Sequence, residues 1–180
     1  MKKKNVIVLD VGDDSPDYSG WGFLIIHTDT PGYVFADDLN HLYNLDFGRA
    51  ADLVSDDTAY PLFCHRDHAK RLDYYLLEQP ATHPESLWQK GEKLLIVSGE
   101  TAQETVERID ADFASPLPEA DPSDLVATAR YERLAVYQAA LTLTTVFEPG
   151  RIGQYSPKAL ACLIPEVDNI LDSIDLLVMS

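Results

Sequence analysis

Cys64, His65, Asp67 and His68 stand together in the run CHRDH, with Asp73 a short distance on. Thiolate and imidazole are the ligands zinc prefers, so Cys64, His65 and His68 are the candidate metal ligands of this chain. Three ligands from so short a run need a tight turn to converge on one ion. No second pair at ligand spacing follows, so His27 or His41 would have to be supplied by the fold. The competing reading is a polar connection between two strands with Cys64 packed inside. His65 or His68 could also act as a general base, but no partner nucleophile is identifiable.

A second cluster, Asp10, Gly12, Asp13, Asp14 and Asp17, follows an apolar run. Carboxylates at a strand end suit Mg²⁺ or Ca²⁺, which take oxygen ligands. The spacing departs from the calcium-loop pattern, and a solvated acidic loop is the plainer reading. Ser98-Gly99-Glu100 precedes a helix start whose backbone N–H groups could hold an anion, but Glu100 and Glu104 would repel it. No Walker loop, dinucleotide fingerprint, Gly-x-Ser-x-Gly elbow or His-Glu-x-x-His is present, and no cofactor is predicted. The catalytic residues of an enzyme are thus not identifiable, and the chain leans away from being one.

The elements that must position these residues are legible in part. Leu94 to Val97 is a continuous apolar run, as a strand buried on both faces would be. Thr101 and Glu104 have capping-box spacing, and Val106, Ile109 and Phe113 recur at helical spacing behind them. Asn5 to Val11 and Trp21 to His27 read as two strands, paired as a hairpin across a long acidic loop. Thr30 as cap and Pro31 at the first helical position open a helix. Its apolar face carries Val34, Phe35, Leu39, Leu42 and Tyr43, and it ends near Asn44. Leu45 to Val54 is ambiguous and compatible with a short helix. Ala59 to Cys64 and Leu72 to Gln79 form a strand pair joined by His65 to Lys70, and Pro61 argues for an edge position. Alternation puts Tyr74 and Tyr75 on opposite faces of the second strand, so one of them could sit at an exposed or partner surface, while core or half-buried packing is the favoured reading. Ser115 to Pro122 holds three prolines and is the best linker candidate.

Beyond that linker, Asp124 to Phe147 reads as one long helix with Val126, Ala129, Arg133, Tyr137, Ala140 and Thr144 on one side. The alternative is a strand over Leu125 to Tyr131 with a helix from Glu132. Ile170, Leu171, Ile174, Leu177 and Val178 fall at helical spacing near the end. The expected class is α+β: a small mixed or antiparallel sheet with helices on one face and a mostly helical C-terminal third. A single domain over residues 1–180 is expected, with a possible sub-boundary near 115–122 and residues 123–180 as a helical extension.

Charge narrows the partners. Of 180 residues, 30 are Asp or Glu and 14 are Lys or Arg, a net charge of −16. Nucleic acid and anionic membranes are therefore disfavoured. No stretch approaches the ~20 apolar residues that span a bilayer. Two cysteines without a Cys-x-x-Cys suit a reducing cytoplasm.

Between Trp21 and Leu134 the order of pieces resembles a small bacterial family named for an Ile-Pro-Glu-x-x-x-Asp-Tyr signature. A strand near WGFLIIHT leads to a helix near YVFADDLNHLYN, then the aromatic hairpin PLFCHRDHAKRLDYYLLEQ, the strand KLLIVSGE, a helix, and VATARYERL. The signature itself is not intact: His83-Pro84-Glu85 is followed by a longer loop, and Glu92-Lys93 stands where Asp-Tyr would. The resemblance implies a compact α+β domain and carries no activity.

The expected role is a non-enzymatic protein-interaction or self-associating domain, with the segment from Ile164 to Met179 packed on the body or on a second copy. The alternative is a metal-dependent enzyme or metal-binding protein using Cys64, His65 and His68 or the acidic loop from Asp10 to Asp17.

Overall fold

A computed structural model describes residues 18–55, 57–78, 92–115, 121–147 and 169–174. Its frame is a six-stranded antiparallel sheet. The strands are β1 (Trp21–His27), β2 (Gly48–Arg49), β5 (Leu62–Asp67), β6 (Leu72–Glu78), β7 (Glu92–Ser98) and β8 (Leu143–Phe147). They run in the order β2-β5-β6-β7-β1-β8. A separate two-stranded hairpin joins β3 (Leu53–Ser55) to β4 (Thr58–Tyr60). The helices are α1 (Gly32–Tyr43), α2 (Ala102–Ala114) and α3 (Leu125–Ala139), and residues 169–174 are also helical. The class is α+β.

The strand pattern follows from burial on both faces. Along β7, Leu95 and Val97 face α1, α2 and α3, while Leu94 and Ile96 face the other way. The helical side buries Leu24, Ile26, Phe35, Leu39, Val106 and Ile109. The opposite side buries Phe23, Tyr75 and Leu77 against Leu53 and Tyr60 of the hairpin and against Ile170, Leu171 and Ile174. A sheet covered twice needs apolar residues at every position, hence the unbroken run Leu94 to Val97. The C-terminal apolar segment is thus used, at Ile170, Leu171 and Ile174, on its own chain's sheet.

Several expectations need correction. Strand β1 is interior: β7 pairs with it from Trp21 to His27, and β8 pairs with it from Phe23 to His27. Its two sides are taken, so the expected hairpin with Asn5 to Val11 is not its pairing; that segment lies outside the described residues. The strand expected over Ala59 to Cys64 breaks at Pro61, which lacks the N–H a ladder needs. Tyr60 ends β4 in the small hairpin, and Leu62 begins β5 in the main sheet. The Leu45 to Val54 stretch yields β2 and the start of β3 rather than a helix. Neither reading of 124–147 holds. The segment is α3 followed by β8, turned at Leu141, which adopts a left-handed φ of 54°. The stretch beyond the proline-rich linker therefore supplies a strand to the main sheet as well as a helix.

The caps also differ. Helix α1 begins at Gly32 with Pro31 at the cap, because Val34 and Phe35 donate to the Pro31 carbonyl. Thr30 is instead engaged with Thr28. Thr101 is the cap residue of α2, with φ −106° and ψ 24°. That backbone is not the extended one that brings a cap hydroxyl onto the first turn. The Thr101 carbonyl accepts from the Thr105 hydroxyl at 2.8 Å. Helix α2 crosses β1 at Gly22, where a Cβ would come within 2.6 Å of the Ala102 carbonyl oxygen. Only glycine lets that helix settle so close to the strand.

Candidate functional site

The predicted metal ligands are separated by strand geometry. Successive residues of β5 point to opposite faces. Cys64 packs toward the cluster of Leu62, Tyr75 and Leu77. Burial pushes its thiol pKa up to about 11, aided by the nearby Asp73 carboxylate. His65 faces the other side, its ring 6.2 Å from Phe47 and 5.5 Å from Tyr74 between centroids. Its Nδ1 accepts the Asp46 backbone N–H at 3.2 Å, which removes one of its two possible ligand atoms. His68 is exposed in the turn between β5 and β6. Asp67 is committed to that turn, where the Lys70 N–H bonds it at 3.0 Å and holds its carboxyl below the usual range. Among the described residues no three His, Cys, Asp or Glu side chains gather to hold a metal ion. The Asp10 to Asp17 loop lies outside the described residues. Tyr74 and Tyr75 do lie on opposite faces, and both are buried, as the favoured core-packing reading has it; neither is at an exposed surface.

A different constellation is assembled where α3 meets α1 and α2. Helix α3 buries only Leu134 and Tyr137; Leu125, Val126 and Val136 are 78%, 81% and 67% exposed. It docks instead through polar groups. Asp112 on α2 accepts from Arg130 Nη2 at 2.7 Å and from the Tyr43 hydroxyl at 3.0 Å. Arg130 also donates to the Leu42 carbonyl and lies 5.0 Å over the Tyr43 ring. Asp38 on α1 accepts from Arg133 and from the Tyr137 hydroxyl. Gln138 donates to the Ser115 carbonyl at 2.7 Å. Burial first, and the adjacent carboxylate second, hold both tyrosine hydroxyls protonated well above their ordinary range.

These contacts leave an open groove of about 790 Å³. His41, Lys70, Arg108, Arg130 and Arg133 line it, with Leu125, Val126 and Ala129 as its apolar wall. Among the described residues no carboxylate lines it. The guanidinium of Arg108 is near enough to the Tyr43 and Tyr74 hydroxyls to favour their ionised forms, against the stronger effect of burial. It has no ion-pair partner among the described residues.

No protein-family model, curated protein or solved structure matches this chain. Its geometry is therefore the ground for any functional reading.

The sheet's far edge is the second distinctive surface. Strand β8 pairs with β1 on one side, and among the described residues no strand lies along the outer side of Leu143 to Val146. Leu141 and Leu143 are 79% and 67% exposed. From Leu134 to Phe147 there is no charged residue, in a chain where 24% are charged. That uncharged run is the signal by which the sequence could have marked the edge. Arg108 and Lys93 carried weaker signals. Lys93 directly precedes the apolar run of β7, is buried, and donates to the Thr28 carbonyl at 3.2 Å with Glu78 4.0 Å away. Burial lowers its pKa against the pull of Glu78 and Asp29. It ties the end of β1 to β6 and β7. No helix among the described residues is long and apolar enough to cross a membrane.

Proposed function

We propose that this chain is a non-enzymatic, self-associating interaction domain of the cytoplasm, in which β8 of one copy pairs with β8 of a second. The carrying observation is the uncharged edge from Leu143 to Val146, along whose outer side no strand lies among the described residues, beside exposed Leu141. An unpaired row of backbone N–H and C=O groups is a template for another strand. Two copies each carrying a net charge of −16 repel one another, so contact is least opposed where no charge stands. Antiparallel pairing of identical strands closes about a two-fold axis and stops at a dimer. The free thiol of the half-buried Cys64 suits a reducing compartment.

Native mass spectrometry of the full chain, with light scattering over a concentration series, tests this. A dimer is expected, and Leu143→Lys with Thr145→Lys is expected to convert it to a folded monomer. A wild-type protein that stays monomeric at high concentration, or a doubly charged variant that stays dimeric, overturns the reading.

A further inference from the structure

The groove between α1, α2 and α3 has no part in edge pairing, and its composition is at odds with the rest of the chain. It gathers Lys70, Arg108, Arg130 and Arg133, four of the 14 Lys and Arg residues, and among the described residues none of the 30 Asp and Glu lines it. We infer that it is a binding site for a small organic anion, an oxyanion head on an apolar body.

The four cations do not have equal parts. Arg130 is held by Asp112, the Leu42 carbonyl and the Tyr43 ring, and Arg133 by Asp38. They form the wall. Lys70 pairs with Asp67 at 3.3 Å, its own side chain exposed. Such a surface pair exchanges readily with solvent or ligand. Arg108 is exposed and has no ion-pair partner among the described residues. Its guanidinium N–H donors are therefore available to a carboxylate or phosphate. The protein's overall field is negative, and a bare guanidinium here is not left over from pairing with a neighbouring acid.

The body of the ligand is set by the apolar part of the lining. Leu125, Val126 and Ala129 lie on the first turns of α3, and the two larger are mostly exposed. Covering exposed apolar surface is favourable at roughly 25 cal/mol per Å². Neither the wall nor the cations alone suffice: an inorganic anion leaves the leucine and valine wet, and a neutral apolar molecule makes no use of the Arg108 donors. The groove, about 790 Å³, has room for such a molecule. That capacity is within the range of known small-ligand sites.

Amide-resolved NMR titration of the full chain with benzoate, octanoate, octanamide and inorganic phosphate tests the inference. The two organic acids are expected to shift the amides of Asn44, Arg108 and Val126 saturably, phosphate weakly, and octanamide not at all. Arg108→Glu is expected to weaken octanoate by about tenfold or more, the loss of one charge-assisted contact. Arg108 is exposed, so that variant keeps its fold, which the unshifted remainder of the spectrum verifies. Leu125→Ser with Val126→Ser is expected to weaken octanoate and leave phosphate unchanged. No saturable shift at the groove from either acid, equal binding of octanamide, or undiminished binding by the Arg108→Glu variant overturns it. The outcome is independent of the dimer test, because Arg108 is on α2 and the pairing edge is β8.

Discussion

The two edges of the main sheet are built to opposite rules. At one edge, β5 is covered by the two residues of β2, and charge guards the rest. Arg49 lies 5.5 Å over the Phe63 ring and donates to the Leu62 carbonyl at 3.0 Å, and Arg66 pairs with Asp73 at 2.7 Å. A short edge strand and charged side chains are the usual means of refusing an intruding strand. At the other edge, β8 presents leucine and threonine without a charge, and Leu143 is mostly exposed. Among the described residues, only the first of these edges is guarded in this way.

The contrast predicts unequal costs for shortening a leucine at each edge. Leu62 is 1% exposed beneath the guarded edge. Leu62→Ala should cost about 2–5 kcal/mol. Leu143→Ala, measured at concentrations low enough to keep the chain monomeric, should stay within about 0.5 kcal/mol. Urea unfolding of both variants checks this, and equal costs would mean that β8 is covered.

The next effect concerns what holds the open edge in place. Asp38→Ala strips the acceptor from Arg133 and Tyr137 together, on the helix that leads into β8. A loss of about 1–3 kcal/mol is expected for orphaning these partly buried donors. Hydrogen exchange should then quicken in α3 and β8 before it quickens in β5 and β6. Uniform quickening would show the two edges to be one cooperative unit.

Removing the guard should make the edges alike. Arg66→Val with Asp67→Thr strips the charged side chains from β5 beyond β2, and a second sticky edge on the same molecule generates open chains rather than closed pairs. Light scattering should show assembly past the dimer, rising with concentration. A variant that remains a dimer would show that charge is not what closes this edge.

The smallest effect is a titration beside the guarded edge. The Cys64 thiol keeps its proton to about 11 when folded, against an ordinary value of 9.0. Its contribution to stability is whole below 9.0 and is lost as pH rises toward 11, because the unfolded thiol ionises first. Alkylation of native protein should be slow at neutral pH and climb only as pH nears 11. Fast alkylation near neutrality would place Cys64 outside the packed face.

The regular core was legible in the chain because its signals are local. Val106, Ile109 and Phe113 on α2, and Phe35, Leu39 and Leu42 on α1, repeat at helical spacing and are all buried. Strands β1, β6 and β7 stand out as apolar runs, and the opposition of Tyr74 and Tyr75 follows from alternation alone. The candidate site was not legible. Cys64 and His65 are adjacent in the chain, and adjacency on a strand sends neighbours to opposite faces, while His68 falls in the turn beyond. Asp38, Asp112, Arg130 and Arg133 are scattered through the chain, and nothing in their local spacing says that they meet.

Local pattern and total charge were enough to specify the class, the continuous burial of the central strand β7 and the acidity that disfavours nucleic acid. Those properties depend on which residues are apolar, at what period, and on a sum of charges. Long-range packing settled that β1 is interior, that α3 docks by salt bridges, that four cations face one groove and that β8 ends the sheet among the described residues. Each of these depends on which distant segments share a space, a matter of pairing that no local period records.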